Sequence, residues 1–253
     1  MIKNSTSTIS KIVALGLATS AITLMSAQAA SAATLSVNFT PLNGFFTTGT
    51  APDSQPTVSG IFRADLSGIN DITSILIADG NGQTGLPGQF SGFDLDAIKI
   101  STTLINNAVD INTATPLNVF AANPVFTPGT QRAPVDPALF GTTGGNINNA
   151  VATLNTVDAF VFATTPQQAG GFVSLGDGGQ VLFNLTSALP SGPLYLYVGE
   201  AGNNLETLAP VVVTFDDPTP PPPTSVPEPG SLAALSLMGI YFAARRKQTA
   251  KTA

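Results

Sequence analysis

The sequence contains no histidine, no cysteine and no tryptophan among its 253 residues. Without histidine and cysteine, a Ser-His-Asp triad, a cysteine nucleophile, a thiolate or imidazole zinc site and an imidazole pH switch are all excluded. The lack of cysteine also excludes a disulfide scaffold. Any catalysis would have to use carboxylates or hydroxyls, and no motif singles out such a pair. We therefore expect that the chain is not an enzyme.

Basic residues are scarce in the central part of the chain. Between Ala33 and Asp217 there are three basic residues against fourteen acidic ones, a formal charge of three minus fourteen, or −11. A surface of this sign repels nucleic acid and anionic lipid, and it attracts cations such as calcium. We therefore expect no nucleic-acid partner.

The first 32 residues have the layout of a secretory signal peptide. Two lysines precede an apolar run of about 14 residues, which is closer to the core of a signal peptide than to the ~20 residues of a membrane span. Small residues follow, and two A-x-A sites there compete for signal peptidase, one ending at Ala29 and one at Ala32. We favour cleavage between Ala32 and Ala33, which makes Ala33 the first residue of the mature chain.

The C-terminal end combines a proline-rich run, a short motif, an apolar stretch and a basic tail. The run lies within residues 218–225 and predicts a semi-rigid polyproline II linker. The apolar stretch, residues 230–244, is shorter than the ~20 residues of a full span and predicts a short, marginal transmembrane helix. The motif before this stretch and the tail after it are formed by Val226, Pro227, Glu228 and Pro229 and by Arg245, Arg246 and Lys247.

Residues 226–253, with this Val-Pro-Glu-Pro motif and basic tail, resemble the PEP-CTERM sorting signal of Gram-negative bacteria. The resemblance implies recognition by an exosortase, an integral-membrane protease-like transferase, and association with exopolysaccharide or extracellular matrix. The basic tail independently favours a cytoplasmic C-terminus. We expect an exported protein that is tethered transiently to the inner membrane as a precursor and then reaches the cell surface or exterior. The alternative, a buried C-terminal core helix, would not normally end in three adjacent cations after a proline spacer.

Residues 33–217 predict a single acidic all-β domain. Apolar and polar residues alternate with period two in several short segments, and Gly, Pro, Asn and Thr are frequent between them. No segment of this region has a helical period with caps. We therefore predict an antiparallel β-sandwich of jelly-roll type. The predicted strands include 35–39, 62–66, 72–78, 93–101, 159–163, 172–175, 181–185, 194–198 and 211–215.

Three further features concern the connections between these strands. The sequence Gly176-Asp177-Gly178-Gly179 predicts a hairpin turn, because Gly and Asp accept positive φ. Residues 123–146 are rich in Pro and Gly and predict a long surface excursion. Residues 105–124 and 147–166 are identical at nine of 20 positions, which is either a duplication or a coincidence of composition.

A candidate metal site lies in the predicted strand 93–101. Strict alternation would place Asp94 and Asp96 on the same face as the apolar residue Ile98. Either a β-bulge shifts the phase, or the carboxylates enter a pocket and need a partner. Two aspartates at i and i+2 can reach one hard cation, and Asp79 and Asn81 could add oxygen ligands. Structural calcium is one hypothesis, and a bulged edge strand with solvated aspartates is the alternative.

A second candidate site is the strand that carries Tyr195 and Tyr197, followed by a polar loop with Glu200 and Asn203. Aromatic rings beside carboxylates and amides are typical of a shallow sugar-binding face. Ordinary tyrosines on a sheet surface are the alternative.

The preferred interpretation of the whole sequence is a secreted or cell-surface structural or adhesive protein. A calcium-dependent carbohydrate-binding β-sandwich is an alternative from a different class. A glycosidase that uses two carboxylates is a third and weaker one, because fourteen acids make chance pairs unavoidable.

Overall fold

The structure is a computed structural model that describes residues 31–50, 56–148, 153–158, 171–189, 191–202 and 205–217. One compact unit of the chain is Ala30–Pro220. All described residues belong to Ala30–Pro220, the central domain.

The described residues form strands joined by loops, with two short 3-10 helices, Gly88–Phe90 and Ala108–Thr113. The all-β class predicted from the sequence is therefore confirmed. The strands are β1 Ser31–Val37, β2 Thr40–Pro41, β3 Phe46–Thr50, β4 Pro56–Asp65, β5 Ile72–Ala78, β6 Asp94–Ser101, β7 Val125–Thr127, β8 Thr142–Thr143, β9 Asn146–Ile147, β10 Thr153–Leu154, β11 Val173–Ser174, β12 Gln180–Asn184, β13 Tyr195–Ala201 and β14 Val211–Asp217.

Most strands belong to two sheets. The five-stranded sheet A has the order β1-β14-β5-β12-β7, and all of its pairs are antiparallel. The seven-stranded sheet B has the path β10-β6-β13-β4-β2, with β11 beside β6 and β3 beside β4. Within sheet B, β10 runs parallel to β6, whereas the other pairs are antiparallel. Strands β8 and β9 form a separate two-stranded hairpin.

The main hydrophobic core is formed by residues of both sheets. Ile75 and Val213 from sheet A belong to the same buried cluster as Ile98 and Leu196 from sheet B. Burial of such side chains is worth about 1.5–3 kcal/mol each and is the principal force that holds two β-sheets together. This shared core supports the predicted sandwich architecture, while the jelly-roll topology stays a prediction.

Sheet B is buried on a second face as well. A smaller core contains Ala97 and Tyr197 from the sheet together with Ile105 and Ile111, which lie in and next to the second 3-10 helix. Every residue of β6 is consequently buried. A strand covered on both faces does not need to alternate between apolar and polar residues.

Most of the strands predicted from alternation are present at or near the expected positions. The prediction 72–78 coincides with β5, 93–101 with β6 to within one residue, and 211–215 lies inside β14. The prediction 159–163 lies outside the described residues, as does part of each half of the suspected duplication.

The hairpin expected at residues 176–179 is wrong, although the turn itself is present. Gly176 and Gly178 have φ of 79° and 75°, as the sequence pattern predicts. The strands on either side belong to different sheets, however, because β11 pairs with β6 and β12 pairs with β5. The turn therefore carries the chain from sheet B to sheet A.

The surface excursion expected at residues 123–146 contains a short strand in its first part that the sequence pattern does not predict. Strand β7 adds an edge strand to sheet A by pairing with β12, and Thr130 forms a β-bridge with Asp177. Strand β7 has only three residues and lies in a segment rich in Pro and Gly, so that no alternating pattern indicates it.

Candidate functional site

A β-bulge in β6 determines the positions of Asp94 and Asp96, the two predicted calcium ligands of this strand. Gly199 of β13 lies opposite Ala97, but the next residue, Glu200, lies opposite Leu95, so that one residue of β6 is extra. The bulge puts Leu95 and Ile98 in the same core although they are three positions apart. The phase shift suggested by the sequence is thus confirmed. Solvated aspartates on an edge strand are excluded, because Asp94 is 3% exposed and Asp96 is fully buried.

Asp94 lies in a group of buried carboxylates. Its backbone N–H donates a hydrogen bond of 2.8 Å to Oε2 of Glu206, and its own Oδ1 accepts one from the hydroxyl of Ser174. Burial, together with the Glu206 and Glu200 carboxylates, raises the pKa of Asp94 well above its usual value. The Ser174 hydroxyl and the nearby Arg132 act in the opposite direction. This arrangement keeps the Asp94 carboxyl protonated to a higher pH in the folded protein than in the unfolded chain.

Gly85 allows Glu206 to enter this group. A Cβ atom at Gly85 would lie 1.7 Å from Oε1 of Glu206, and the φ of this glycine is +77°. Any other residue would therefore both clash with the carboxylate and strain the backbone. The loop before the first 3-10 helix and the loop between β13 and β14 are packed together at this point.

Asp96 has a different environment from Asp94. Its Oδ2 accepts a hydrogen bond of 2.6 Å from the hydroxyl of Ser59 in β4. A Cβ at Gly199 would lie 3.1 Å from the same carboxylate oxygen. The bulge of β6 thus directs Asp96 over β13 to β4, within sheet B.

Asp79 stabilises a turn. Its Oδ2 accepts hydrogen bonds from the backbone N–H groups of Asn81 and Gly178, at 2.8 and 2.9 Å. Asp79 therefore connects the end of β5 to the turn that leads into β12. Among the residues that the structure describes, no group of three or more acidic side chains is arranged to hold a metal ion. The calcium hypothesis for Asp79, Asn81, Asp94 and Asp96 stays a prediction.

The tyrosine face predicted as a sugar platform is not exposed as expected. Tyr197 is 1% exposed and belongs to the smaller core, and Tyr195 is only partly exposed and packs against that core. The Tyr197 hydroxyl accepts a hydrogen bond from the N–H of Ile105 and donates one to the carbonyl of Thr103. Both the exposed sugar platform and the ordinary surface tyrosine are thus wrong for Tyr197. Glu200 is also buried, at 2% exposed, and Asn203 lies outside the described residues.

The three cations of the central domain hold loops by binding carbonyl oxygens. The guanidinium of Arg132 donates hydrogen bonds to the carbonyls of Gln83, Thr84, Gly85 and Leu86. It also forms an ion pair of 3.3 Å with Asp177. Arg132 thereby fixes the loop whose Gly85 contacts Glu206.

Lys99 and Arg63 have the same role on the second face of sheet B. The ammonium of Lys99 donates hydrogen bonds to the carbonyls of Ile111 and Ala114, and burial lowers its pKa. Arg63 donates to the carbonyl of Ile105 and to the side chain of Asn106. Two of the three cations therefore attach the second 3-10 helix and its flanking loop to the sheet.

An apolar cavity of about 400 Å³ lies where β1 ends and β14 begins. We call it the Phe39 cavity. Asn38 and Thr207 contribute polar side chains to the lining. The apolar part of the lining consists of two phenylalanines, two prolines and a leucine: Phe39, Phe62, Pro41, Pro210 and Leu208.

Several of these features had no signal in the sequence. Glu206 is 112 residues away from Asp94 in the chain, and no local pattern links the two. The Phe39 cavity lies where the end of β1 and the start of β14, both in sheet A, meet β2 and β4 of sheet B. The scarcity of cations was visible in the sequence, and it could have indicated that each one has a specific structural partner.

The molecule thus combines an all-β domain with a C-terminal segment made of a short motif, an apolar stretch and a basic tail. A family model described as the PEP-CTERM protein-sorting motif matches residues 225–247 of this segment. The chain carries this sorting signal, which supports its assignment as an exosortase substrate and confirms the predicted resemblance. The match covers the signal alone and leaves the central domain without an assigned family. No curated protein and no solved structure matches the chain.

The sorting motif implies export and a membrane-anchored precursor that is processed toward the cell surface. The residues predicted as signal peptide, cleavage site and C-terminal helix lie outside the described residues, apart from Ser31, Ala32 and Ala33 in β1. No helix among the described residues is long and apolar enough to cross a membrane.

Proposed function

We propose that this chain is a structural or adhesive protein of the cell exterior, associated with exopolysaccharide or extracellular matrix. The PEP-CTERM sorting motif at residues 225–247 carries this proposal, since it follows a folded domain and addresses that domain to an exosortase. The domain also has the charge of a module that remains hydrated outside the cell. Its three cations bind backbone carbonyls of loops, and its sequence carries fourteen acidic residues against these three, a formal excess of negative charge.

The sorting step is tested by changing the motif in a cell that contains an exosortase. Glu228→Gln removes the carboxylate of the motif, and Asp216→Asn removes an exposed carboxylate of β14 as a matched control. We expect the control and the unchanged chain to lose their C-terminal segment and leave the membrane fraction, whereas Glu228→Gln remains there at full length. Fractionation and intact-mass measurement give the result. Equal processing of all three chains in a strain without exosortase would contradict the proposal.

Association with polysaccharide needs a separate measurement. The purified central domain is mixed with polysaccharide isolated from the producing cells, and the fraction that co-sediments is determined. Binding that is insensitive to EDTA supports the structural role, whereas binding that requires calcium supports the carbohydrate-binding alternative. Turnover of the polysaccharide, lost in a single Asp→Asn variant, would support the glycosidase instead. The absence of binding would contradict the association with exopolysaccharide.

A further inference from the structure

The Phe39 cavity is uncharged in a strongly acidic domain. None of the described residues that line it has a charged side chain, although the domain has a formal charge of three minus fourteen, or −11. An anionic ligand would be repelled by the surrounding field, and a cationic one would find no carboxylate inside the cavity. The ligand that fits is therefore uncharged and largely apolar.

The shape of the lining narrows the class of ligand. The rings of Phe39 and Phe62 and the two prolines provide flat apolar walls, and Asn38 and Thr207 are exposed and can donate hydrogen bonds. Grooves that bind polyproline II segments have this combination, because proline rings pack on aromatic side chains while donors contact the free backbone carbonyls.

The sequence of the chain itself predicts such a segment. The run Pro218–Pro223 has five prolines, and no charged residue occurs between Pro218 and Pro227. A polyproline II helix is preformed in solution, so that docking loses little conformational entropy. The run and the cavity are thus matched in charge and in chemistry.

The run starts after one end of the β1–β14 pair, and the cavity lies at the other end. Ser31 is opposite Asp217 at one end, and Val37 is opposite Val211 at the other. The cavity contains Pro210, next to Val211, whereas the run begins after Asp217. These ends are about 20 Å apart at ~3.3 Å per residue, and a six-residue polyproline II run spans about 19 Å. A run folded back along its own β14 would therefore only reach the edge of its own cavity and could not fill it. This favours the cavity of a second copy.

We propose that the run Pro218–Pro223 of one copy docks in the Phe39 cavity of a second copy. Because the run follows Asp217, at the end of β14 opposite the cavity, the contact is head to tail, and each copy can bind a partner on both sides. The product is an assembly larger than a dimer, either an open chain or, where the rotation between copies closes, a ring. The sorting motif follows the run, so that processing at the motif leaves the run on the domain; in this respect the inference rests on the proposed function.

Sedimentation velocity of a chain with residues 30–225 tests the proposal, since this chain keeps β1, both cores and the run. We expect the weight-average sedimentation coefficient to rise with concentration without reaching a plateau at the dimer. A chain of residues 30–217 should remain monomeric. A synthetic peptide of residues 218–225, added in excess, should return the longer chain to monomers.

A pair of substitutions tests whether the association depends on the cavity or on the rest of the surface. Asn38→Asp places a negative charge in the uncharged cavity, and Asn38 is exposed, so that folding should be unaffected. Asn70→Asp introduces the same charge at an exposed position near the start of β5, whose Ile72 pairs with Phe215 close to the exit of the run. We expect Asn38→Asp to abolish the association and Asn70→Asp to preserve it.

Three results would overturn the proposal. The first is a monomer at all concentrations that also fails to bind the peptide. The second is association that persists in residues 30–217 or stops at a closed dimer. The third is a neutral oligosaccharide that binds the cavity while the peptide does not. These measurements use purified protein without polysaccharide or exosortase, so their failure is distinct from a failure of the sorting test.

Discussion

The two faces of sheet B are buried in different ways. One face packs on sheet A and consists of aliphatic and aromatic side chains such as Ile98, Ile100 and Leu196. The other face is covered by the second 3-10 helix and its flanking loops, which are attached by Lys99, Arg63 and the Tyr197 hydroxyl. The first face depends on apolar area, whereas the second combines a smaller apolar core with a few specific hydrogen bonds. The two should therefore respond differently to substitution.

The largest effect is expected in the main core. Leu196→Ala removes a fully buried side chain of β13 and should lower the free energy of unfolding by about 2–5 kcal/mol. Leu35→Ala is the matched control, because Leu35 is 45% exposed, and it should change this energy by less than about 0.5 kcal/mol. Urea unfolding of residues 30–225 measures both. Equal effects of the two changes would contradict the assignment of the core.

Lys99→Met tests the second face. The substitution keeps the aliphatic part of the side chain and leaves the carbonyls of Ile111 and Ala114 without their donor, which should lower stability by about 1–3 kcal/mol. Amide hydrogen exchange should accelerate in residues 108–114 and remain unchanged in β12, since the loop opens locally. Faster exchange in both regions would show that the two faces are a single cooperative unit.

Tyr197→Phe should have a smaller effect on the same face. It removes the hydroxyl that contacts Ile105 and Thr103 but keeps the ring, and the loss should be about 1 kcal/mol. Tyr195→Phe, on the same strand and partly exposed, should change stability by less than about 0.5 kcal/mol. Thermal unfolding of the three proteins side by side distinguishes these values. An equal loss in both variants would rule out a specific role for the Tyr197 hydroxyl.

The effect expected at Asp94 has the opposite sign and depends on pH. Because its pKa is raised in the folded state, the folded protein binds a proton that the unfolded chain releases above its ordinary pKa of 3.8. Stability from this group is therefore present at acidic pH and is lost as the pH rises through the raised pKa. Asp94→Asn should flatten this dependence and stabilise the protein at neutral pH. Urea midpoints from roughly pH 4 to pH 8 measure it.

Calcium sharpens the same experiment. If the proton on Asp94 relieves the repulsion from Glu206 and Glu200, acidification should raise the unfolding temperature in the presence of EDTA. The calcium hypothesis predicts instead that calcium raises the unfolding temperature at neutral pH. The corresponding gain in the free energy of unfolding is about 2.7 kcal/mol at a hundredfold excess over Kd. A calcium shift that disappears in Asp94→Asn with Asp96→Asn would favour the metal site.

The burial of sheet B on two faces also explains which parts of the fold could be predicted from the sequence. Strand β5 was predictable because Ile72–Ala78 is apolar and β-branched, so that it stands out from its flanking loops. Strand β6 was located, but the environment of its aspartates was not, since burial on its second face comes from residues far away in the chain. Glu206 and the Phe39 cavity arise from long-range packing and have no local pattern. The turn at residues 176–179 was correctly placed, but sequence alone could not assign the next strand to another sheet.

The antiparallel pairing of β1 with β14 also has a mechanical consequence. Both strands have their outer ends, Ser31 and Asp217, on the same side of the domain. A force applied between Asp217 and the far end of the domain would act along β14, parallel to the strand and perpendicular to its hydrogen bonds. Such a load shears all the bonds of the ribbon together, whereas pulling the two outer ends apart would open them one by one. The β1–β14 pair therefore resists a pull along β14 better than a pull that separates Ser31 from Asp217.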